Sequence, residues 1–110
     1  MKNFKHRVAV ITGAASGFGR EFALIAAKLD MHVVLADVQH EPLTAFATEL
    51  EQQGAQVLAI PCDVRIGEQV EALAKAAMQR FGAIHLMFNN AGVGAGGLVW
   101  ESSKLTGNGF

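Results

Sequence analysis

Four apolar runs alternate with three helix-like stretches along most of this chain. The apolar runs lie at residues 7–12, 31–36, 55–61 and 83–88. The helix-like stretches, with apolar residues at helical spacing, lie at 17–29, 41–53 and 67–81. Runs this uniformly apolar are typical of strands buried on both faces, and strand–helix alternation with short loops favours a parallel sheet with right-handed crossovers. We therefore predict an α/β fold with a doubly wound parallel sheet.

A glycine-rich turn joins the first strand to the first helix, in the run Thr12-Gly13-Ala14-Ala15-Ser16-Gly17-Phe18-Gly19. The free N–H groups and positive dipole end of a helix N-terminus favour a phosphate. Gly13 permits a tight turn, Gly17 lets the backbone approach a pyrophosphate, and Gly19 lets the helix pack closely on the strand. No Lys-Ser/Thr pair follows the last glycine, which disfavours a P-loop kinase or GTPase. The turn predicts a Rossmann-type fold, incomplete at about four strands in the order 3-2-1-4, with three helices.

Asp37 ends the second apolar run, 24 residues beyond Gly13. A carboxylate there can accept hydrogen bonds from both hydroxyls of an adenosine ribose, and its charge repels a 2′-phosphate. Val38 and Gln39 supply no positive charge to receive such a phosphate. The pattern predicts NAD as cofactor in preference to NADP, and the alternative is a solvated loop aspartate.

Composition narrows the function classes. A chain of 110 residues with a net charge of −1 and no basic stripe is one domain at most and is not predicted to bind nucleic acid. The single cysteine, Cys62, sits in an apolar run and indicates a buried thiol in a reducing compartment, so we expect a cytoplasmic protein. No apolar stretch is long enough to span a membrane, and the four histidines lack metal-ligand spacing.

Three motifs at the ends of successive strands resemble those of the short-chain dehydrogenase/reductase family. They are Thr12-Gly13-x-x-x-Gly17-x-Gly19, Asp63-Val64 and Asn89-Asn90-Ala91-Gly92. The resemblance covers residues 7–92, about the front two-fifths of a typical member. Taken alone, Asn89-Asn90 would equally fit a polar turn after a strand.

The resemblance implies an adenosine-side set of contacts. Ser16 and the backbone of Phe18 would contact the pyrophosphate and its neighbouring ribose. Asp37 would hold the adenosine ribose. The Asp63 side chain and the Val64 backbone would face the adenine edge.

It also implies contacts near the nicotinamide. Asn90, Ala91 and Gly92 would line the cofactor ribose there, whereas Asn89 would brace the sheet. The complete predicted cofactor-binding set is Gly13, Ser16, Gly17, Phe18, Gly19, Asp37, Asp63, Val64, Asn90, Ala91 and Gly92.

The family's proton transfer uses a serine and a tyrosine with a lysine four residues later, and this chain contains no tyrosine. Ser102, Ser103 and Lys104 follow the fourth strand too soon for that role, and we interpret them as a polar tail. We therefore predict no catalytic residues here, a dinucleotide-binding part at 1–92, and a glycine-rich tail at 93–110, truncated before the catalytic half. The chain alone is predicted to be inactive.

Two function hypotheses remain, with a methyltransferase as a weaker third. In the first, the intact protein is an oxidoreductase that transfers hydride between NAD and an alcohol or carbonyl substrate. In the second, the chain is a stand-alone dinucleotide-binding module without catalysis. The fourth strand would become an apolar edge of the sheet, which predicts self-association.

Overall fold

The computed structural model describes residues 4–15 and 17–90, together with the backbone of 97–99. Its elements, in chain order, are β1 (Val8–Thr12), α1 (Gly17–Lys28), β2 (His32–Asp37), α2 (His40–Gln52), β3 (Val57–Pro61), α3 (Gly67–Phe81), β4 (Leu86–Asn89) and β5 (Gly97–Val99). The sheet order is β3-β2-β1-β4-β5. The first four strands pair in parallel, so the predicted 3-2-1-4 order with three helices is confirmed.

The central strand β1 is buried along its whole length, and helices cover both faces of the sheet. On one face α1 and α2 contribute a core that includes Ala26, Leu43 and Phe46. On the other face α3 contributes a separate core that includes Leu73 and Ala77. The sheet is therefore doubly wound, as its uniformly apolar strands predict.

Element boundaries differ from the predictions by a few residues. The bounds of α3 are as predicted, and Gly82 ends it in the left-handed conformation at φ +83°. Pro42 is the third residue of α2, and its missing N–H removes no helical hydrogen bond because the first four N–H groups have no partner within a helix. β4 begins at Leu86 and includes Asn89, so it lies later than expected.

The buried face of α1 differs from the predicted apolar stripe. Phe18, Ile25 and Leu29 are exposed, Phe18 by 76%. The predicted stripe is Phe18, Phe22, Ile25, Ala26 and Leu29; of these only Ala26 is fully buried, and it is joined by Gly19 and Ala23. At Gly19 a side chain would overlap the carbonyl oxygen of Gly13, so α1 lies too close to β1 for large residues on that face. The spacing of apolar residues along the sequence could not reveal how closely α1 approaches β1.

The fourth strand is paired on both sides, which corrects two expectations about the end of the sheet. β5 lies antiparallel to β4 and pairs with Met87, Phe88 and Asn89. The glycine-rich segment therefore contains a strand that its sequence did not predict. Along these three residues β4 is not an open edge, so the reason for expecting self-association through it is removed.

Among the described residues, no helix is both long and apolar enough to cross a membrane. Nor do three His, Cys, Asp or Glu side chains in that part of the chain come together as a metal site. Cys62 is a buried free thiol, and its pKa is raised by burial and by the neighbouring Asp63 carboxylate.

His85 extends the pairing of β1 with the segment before β4. Its N–H donates to the Val8 carbonyl at 2.9 Å, and its Nδ1 accepts the Val8 N–H, also at 2.9 Å. Nδ1 can accept this bond only when it carries no proton. Burial, and secondarily the charge of Arg7, lower the His85 pKa, so the folded chain holds the neutral imidazole.

Folding stability should therefore fall as the pH drops through the unfolded-state pKa of histidine, about 6.5, and level off below the lower folded pKa. The loss attributable to His85 should be on the order of 1 kcal/mol, the net value of one hydrogen bond. His85→Asn keeps a side-chain acceptor but cannot titrate. Its free energy of unfolding, measured by urea denaturation, should therefore decline less between about pH 7.5 and 5.5 than that of wild type. His40→Asn, on the exposed start of α2, is the matched control and should decline as wild type does. The same dependence of the unfolding free energy on pH in wild type and His85→Asn would contradict this account.

Candidate functional site

The predicted polar residues converge where the parallel strands end. Gly13 directly follows β1, Asp37 ends β2, Asp63 lies just beyond β3, and Asn90 directly follows β4. These ends border a cleft of about 300 Å³, lined by Gly13, Asp37, Val38, Gln39, Cys62, Asp63, Val64, Arg65 and Asn90. Ligands of open α/β sheets bind outside the carboxyl ends of the strands, at the point where the strand order reverses. Here that point lies between β1 and β4.

Each glycine of the β1–α1 turn occupies its position for a different physical reason. A Cβ at Gly13, which has φ +64°, would overlap the carbonyl oxygen of Asn90. A Cβ at Gly19 would overlap the carbonyl oxygen of Gly13. Gly17 has φ +59°, and among residues 4–15 and 17–90 the one atom a Cβ there would approach is the Asn90 Nδ2, at 4.0 Å. Two glycines are therefore required by packing, whereas Gly17 leaves open space beside the helix N-terminus.

Asp37 contacts the same turn through its side chain. Its Oδ2 accepts the Ala15 N–H at 3.0 Å, and its Oδ1 accepts the Gln39 N–H at 2.9 Å. The residue as a whole is 8% exposed, and it lines the cleft. A solvated loop aspartate, the alternative from sequence, would be neither this buried nor bonded to two backbone groups. Asp37 therefore ties the end of β2 to the glycine-rich turn at Ala15.

Asn89 and Asn90 brace the end of β4 against β1. The Thr12 hydroxyl donates to Asn89 Oδ1 at 2.7 Å. The Asn90 N–H lies 3.2 Å from both oxygens of Thr12, and its Nδ2 donates to the Gly13 carbonyl at 3.3 Å. Asn89 thus has the bracing position that the resemblance implies, and Asn90 supports the turn while also lining the cleft.

Asp63 is held by its neighbour Arg65. Its Oδ1 accepts both the Arg65 N–H and Nε–H at 3.0 Å, and its Oδ2 accepts from Arg65 Nη2 at 2.8 Å. These bonds, the side-chain ones first, lower the Asp63 pKa to about 2. The Asp63 N–H donates to Gln69 Oε1 at 2.8 Å. Asp63 therefore presents a fixed, ionised carboxylate to the cleft, next to Val64.

The remaining predicted residues lie at the margin or beyond the described part of the chain. Phe18 sits in the first turn of α1 with 76% of its surface exposed, so its ring is open to a ligand or to further protein. Ser16, Ala91 and Gly92 lie outside the described residues.

Sequence reasoning missed Arg65 and Cys62 as residues of the cleft. A signal for Arg65 was present, because an aspartate whose side chain bonds the backbone N–H two residues later is a common turn, and Asp63-Val64-Arg65 has that spacing. Cys62 carries no such signal, since its place in the cleft follows only from the path of the chain after β3.

A larger cavity of about 720 Å³ lies at the opposite end of the sheet. It is bordered by residues near the starts of strands and the ends of helices, among them His6, Lys28, His32 and Gly54. The smaller cleft lies instead at the carboxyl ends of the strands, where open α/β sheets bind their ligands, and is therefore the better candidate for a ligand site.

Comparison with known proteins agrees with this geometry. The family model described as short chain dehydrogenase matches residues 7–106. The chain belongs to that family.

Individual relatives in the comparison are dehydrogenases or reductases. The chain is 39% identical over 101 residues to a CLA biosynthesis dehydrogenase/reductase of Lactiplantibacillus plantarum, covering 92% of this chain and 35% of the relative. It is 43% identical over 97 residues to a 1-deoxy-11-beta-hydroxypentalenate dehydrogenase of Streptomyces exfoliatus, covering 86% of this chain and 35% of the relative. A crystal structure of a short chain dehydrogenase/reductase from Burkholderia phymatum in complex with NAD is similar with a TM-score of 0.77 at 49% identity, covering 79% of this chain and 31% of that one. The chain thus spans about a third of the length of these proteins.

The different surroundings of Gly19 and Gly17 predict different stabilities for their alanine variants. Gly19→Ala should lower the free energy of unfolding by about 1–3 kcal/mol or more, because the added methyl meets backbone that cannot move aside. Gly17→Ala should cost only about 1–2 kcal/mol, the price of a left-handed conformation in open space. Chemical denaturation of both variants in the absence of nucleotide measures the difference, and a Gly17→Ala chain less stable than Gly19→Ala would contradict it.

Proposed function

We propose that this chain binds NAD in the cleft at the carboxyl ends of β1 to β4, as the cofactor-binding part of an oxidoreductase. The observation that carries the proposal is that Gly13 of the glycine-rich turn and two carboxyl side chains, those of Asp37 and Asp63, line one cleft. Membership of the short chain dehydrogenase family supports it, as does the NAD complex of the similar protein from Burkholderia phymatum.

Asp37 is suited to the adenosine ribose. A carboxylate has about four lone-pair positions, and backbone N–H groups occupy two of those on Asp37. The two that remain, one on each oxygen, match the two adjacent hydroxyls of a ribose. A 2′-phosphate would bring negative charge to a buried carboxylate, which favours NAD over NADP.

The pyrophosphate is assigned to the N-terminus of α1. Gly17 leaves its backbone open there, and the first N–H groups of the helix have no partner within it. In this proposal Ser16 and the Phe18 backbone complete the phosphate contacts. Asp63 and Val64 face the adenine, and Asn90, Ala91 and Gly92 border the ribose near the nicotinamide.

The proposed reaction of the whole oxidoreductase is hydride transfer between NAD and an alcohol or carbonyl compound. NAD, when bound, supplies the hydride chemistry, and the residues of this chain hold and orient it. The chain contains no tyrosine to exchange the substrate proton, so we propose that these 110 residues bind the dinucleotide without turning over substrate. A reducing compartment such as the cytoplasm belongs to the same proposal, supported by the single buried thiol of Cys62.

Calorimetric titration with NAD and NADP tests the proposal. Wild type should bind NAD at least about tenfold more tightly, since charges a few ångströms apart repel by more than 1.4 kcal/mol outside bulk water. Asp37→Asn should narrow that ratio by removing the charge. The ratio is the informative quantity because Asp37 also holds the Ala15 N–H, and any damage to the turn weakens both dinucleotides alike.

Glu49→Gln, on the exposed part of α2, removes a carboxylate away from the cleft and should leave the ratio unchanged. Equal wild-type affinities for NAD and NADP would contradict the assigned preference. A folded wild-type chain that binds neither dinucleotide would contradict the proposed function itself.

A further inference from the structure

A short segment before β1, residues 4–7, is fastened across the amino edge of the sheet. The His6 N–H donates to the Asp30 carbonyl at 2.9 Å, and the His32 N–H donates to the Arg7 carbonyl at 2.8 Å. Both bonds join the segment to the residues around the start of β2. The segment therefore lies at the end of the sheet opposite the cleft, beside the larger cavity.

The backbone on both sides of one of these bonds is strained. His6 has φ +67° and Asp30 has φ +62°, the left-handed conformation that residues with a side chain seldom adopt. The contacts across the edge must offset the cost of both conformations. Release of the His6–Asp30 bond would let both residues relax, so a small change at the remaining contacts can open the segment.

The side-chain contact that holds the segment is a stack of three rings. The His6 ring lies 5.4 Å from the His32 ring, which lies 4.7 Å from the Phe81 ring of α3, measured between ring centroids. His32 is thus placed between the segment and a helix. Its Nδ1 is buried and has no hydrogen-bond partner among the described residues.

This unpartnered nitrogen makes the stack sensitive to a proton. Neutral His32 can carry its one proton on Nε2 and leave Nδ1 as a bare lone pair, whereas the charged ring carries a proton on both nitrogens. On Nδ1 that proton would be buried without an acceptor, which is costly. Burial, followed by the charges of His6 and Arg80, accordingly lowers the pKa of His32. The charged ring is accommodated once the stack opens and water reaches Nδ1.

The surrounding charges also oppose protonation of His32. Arg80 lies over the Phe81 ring at 4.8 Å and adds positive charge at the far end of the stack. The other charged side chains described around the cavity that both histidines line are Lys5, Lys28 and Asp30. Residues 53–56, between α2 and β3, border the same cavity and are uncharged. Two lysines against one aspartate leave no excess of negative charge to stabilise a second charged ring.

We propose that His6 and His32 form an acid-sensitive clasp, which holds residues 4–7 against the sheet while His32 is neutral and releases them when it takes up a proton. The closed clasp binds fewer protons than the open one. Opening therefore becomes more favourable as the pH falls below the open-state pKa of histidine, about 6.5, and levels off below the lower closed-state pKa. Acidification thereby uncovers the amino ends of β1 and β2.

Hydrogen exchange of single amides, followed by NMR on the 110-residue chain, tests the clasp. Between about pH 7.5 and 5.5, the protection factors of the His6 and His32 N–H groups should fall by about three- to tenfold, because one proton shifts an equilibrium at most about tenfold per pH unit. The fall should be the same in low concentrations of urea, since a local opening exposes little surface, whereas global unfolding exposes much more.

Two variants separate the proton from the ring contact. His32→Phe keeps a ring between His6 and Phe81 but cannot titrate, so it should show no such fall. His6→Asn suits the left-handed backbone but lacks the ring. It should lower the protection of the His32 N–H at about pH 7.5 and raise the titration midpoint of the His32 ring carbons toward about 6.5, because a neighbouring charge is removed.

His40→Phe, the same substitution on the exposed start of α2, is the matched control and should behave as wild type. Equal protection at both pH values in wild type, or the same fall in wild type and His32→Phe, would overturn the clasp. If His32→Phe does not fold, His6→Asn decides, and an unchanged His32 midpoint with unchanged protection would overturn the clasp as well. None of these results depends on binding of NAD, so the proposed function is tested separately.

Discussion

The close approach of the β1–α1 turn to the end of β4 is the constraint on which the rest of the site depends. Gly13 lies against the Asn90 carbonyl and Gly19 lies against Gly13, with no space for a side chain at either glycine. This contact sets the distance of α1 from the sheet, and that distance explains why the fully buried residues of the helix are small, Gly19, Ala23 and Ala26. It also brings the helix N-terminus over the central strand, where the cleft begins.

Hydrogen bonds at this edge connect elements that are distant in the sequence. Asp37 ties the end of β2 to the β1–α1 turn, and Thr12 ties β1 to Asn89. The Asn90 side chain bonds the turn from the opposite side. Side chains from the ends of both β2 and β4 therefore bond the described part of the turn, Gly13 to Ala15.

Much of this arrangement could be predicted from the sequence because it follows from local patterns. Uniformly apolar runs indicated buried parallel strands, and the glycine spacing located the turn that leads into α1. Two features could not be predicted. The exposed Phe18 depends on the distance between a helix and a sheet, which periodicity does not contain. The pairing of β5 with β4 depends on a contact between segments, because Gly97–Val99 is too short and glycine-rich for a recognisable strand pattern.

The bond between Asp37 and the Ala15 N–H restricts how a cleft of this kind can change its ligand preference. Replacing the aspartate with a small neutral residue would remove its charge, but it would also leave a partly buried backbone donor without an acceptor. A lineage that adapts to a phosphorylated ribose must therefore find a second substitution that satisfies Ala15, or let the phosphate oxygens do so. Through this one hydrogen bond, a substitution at Asp37 that alters what the cleft binds also alters the stability of the turn.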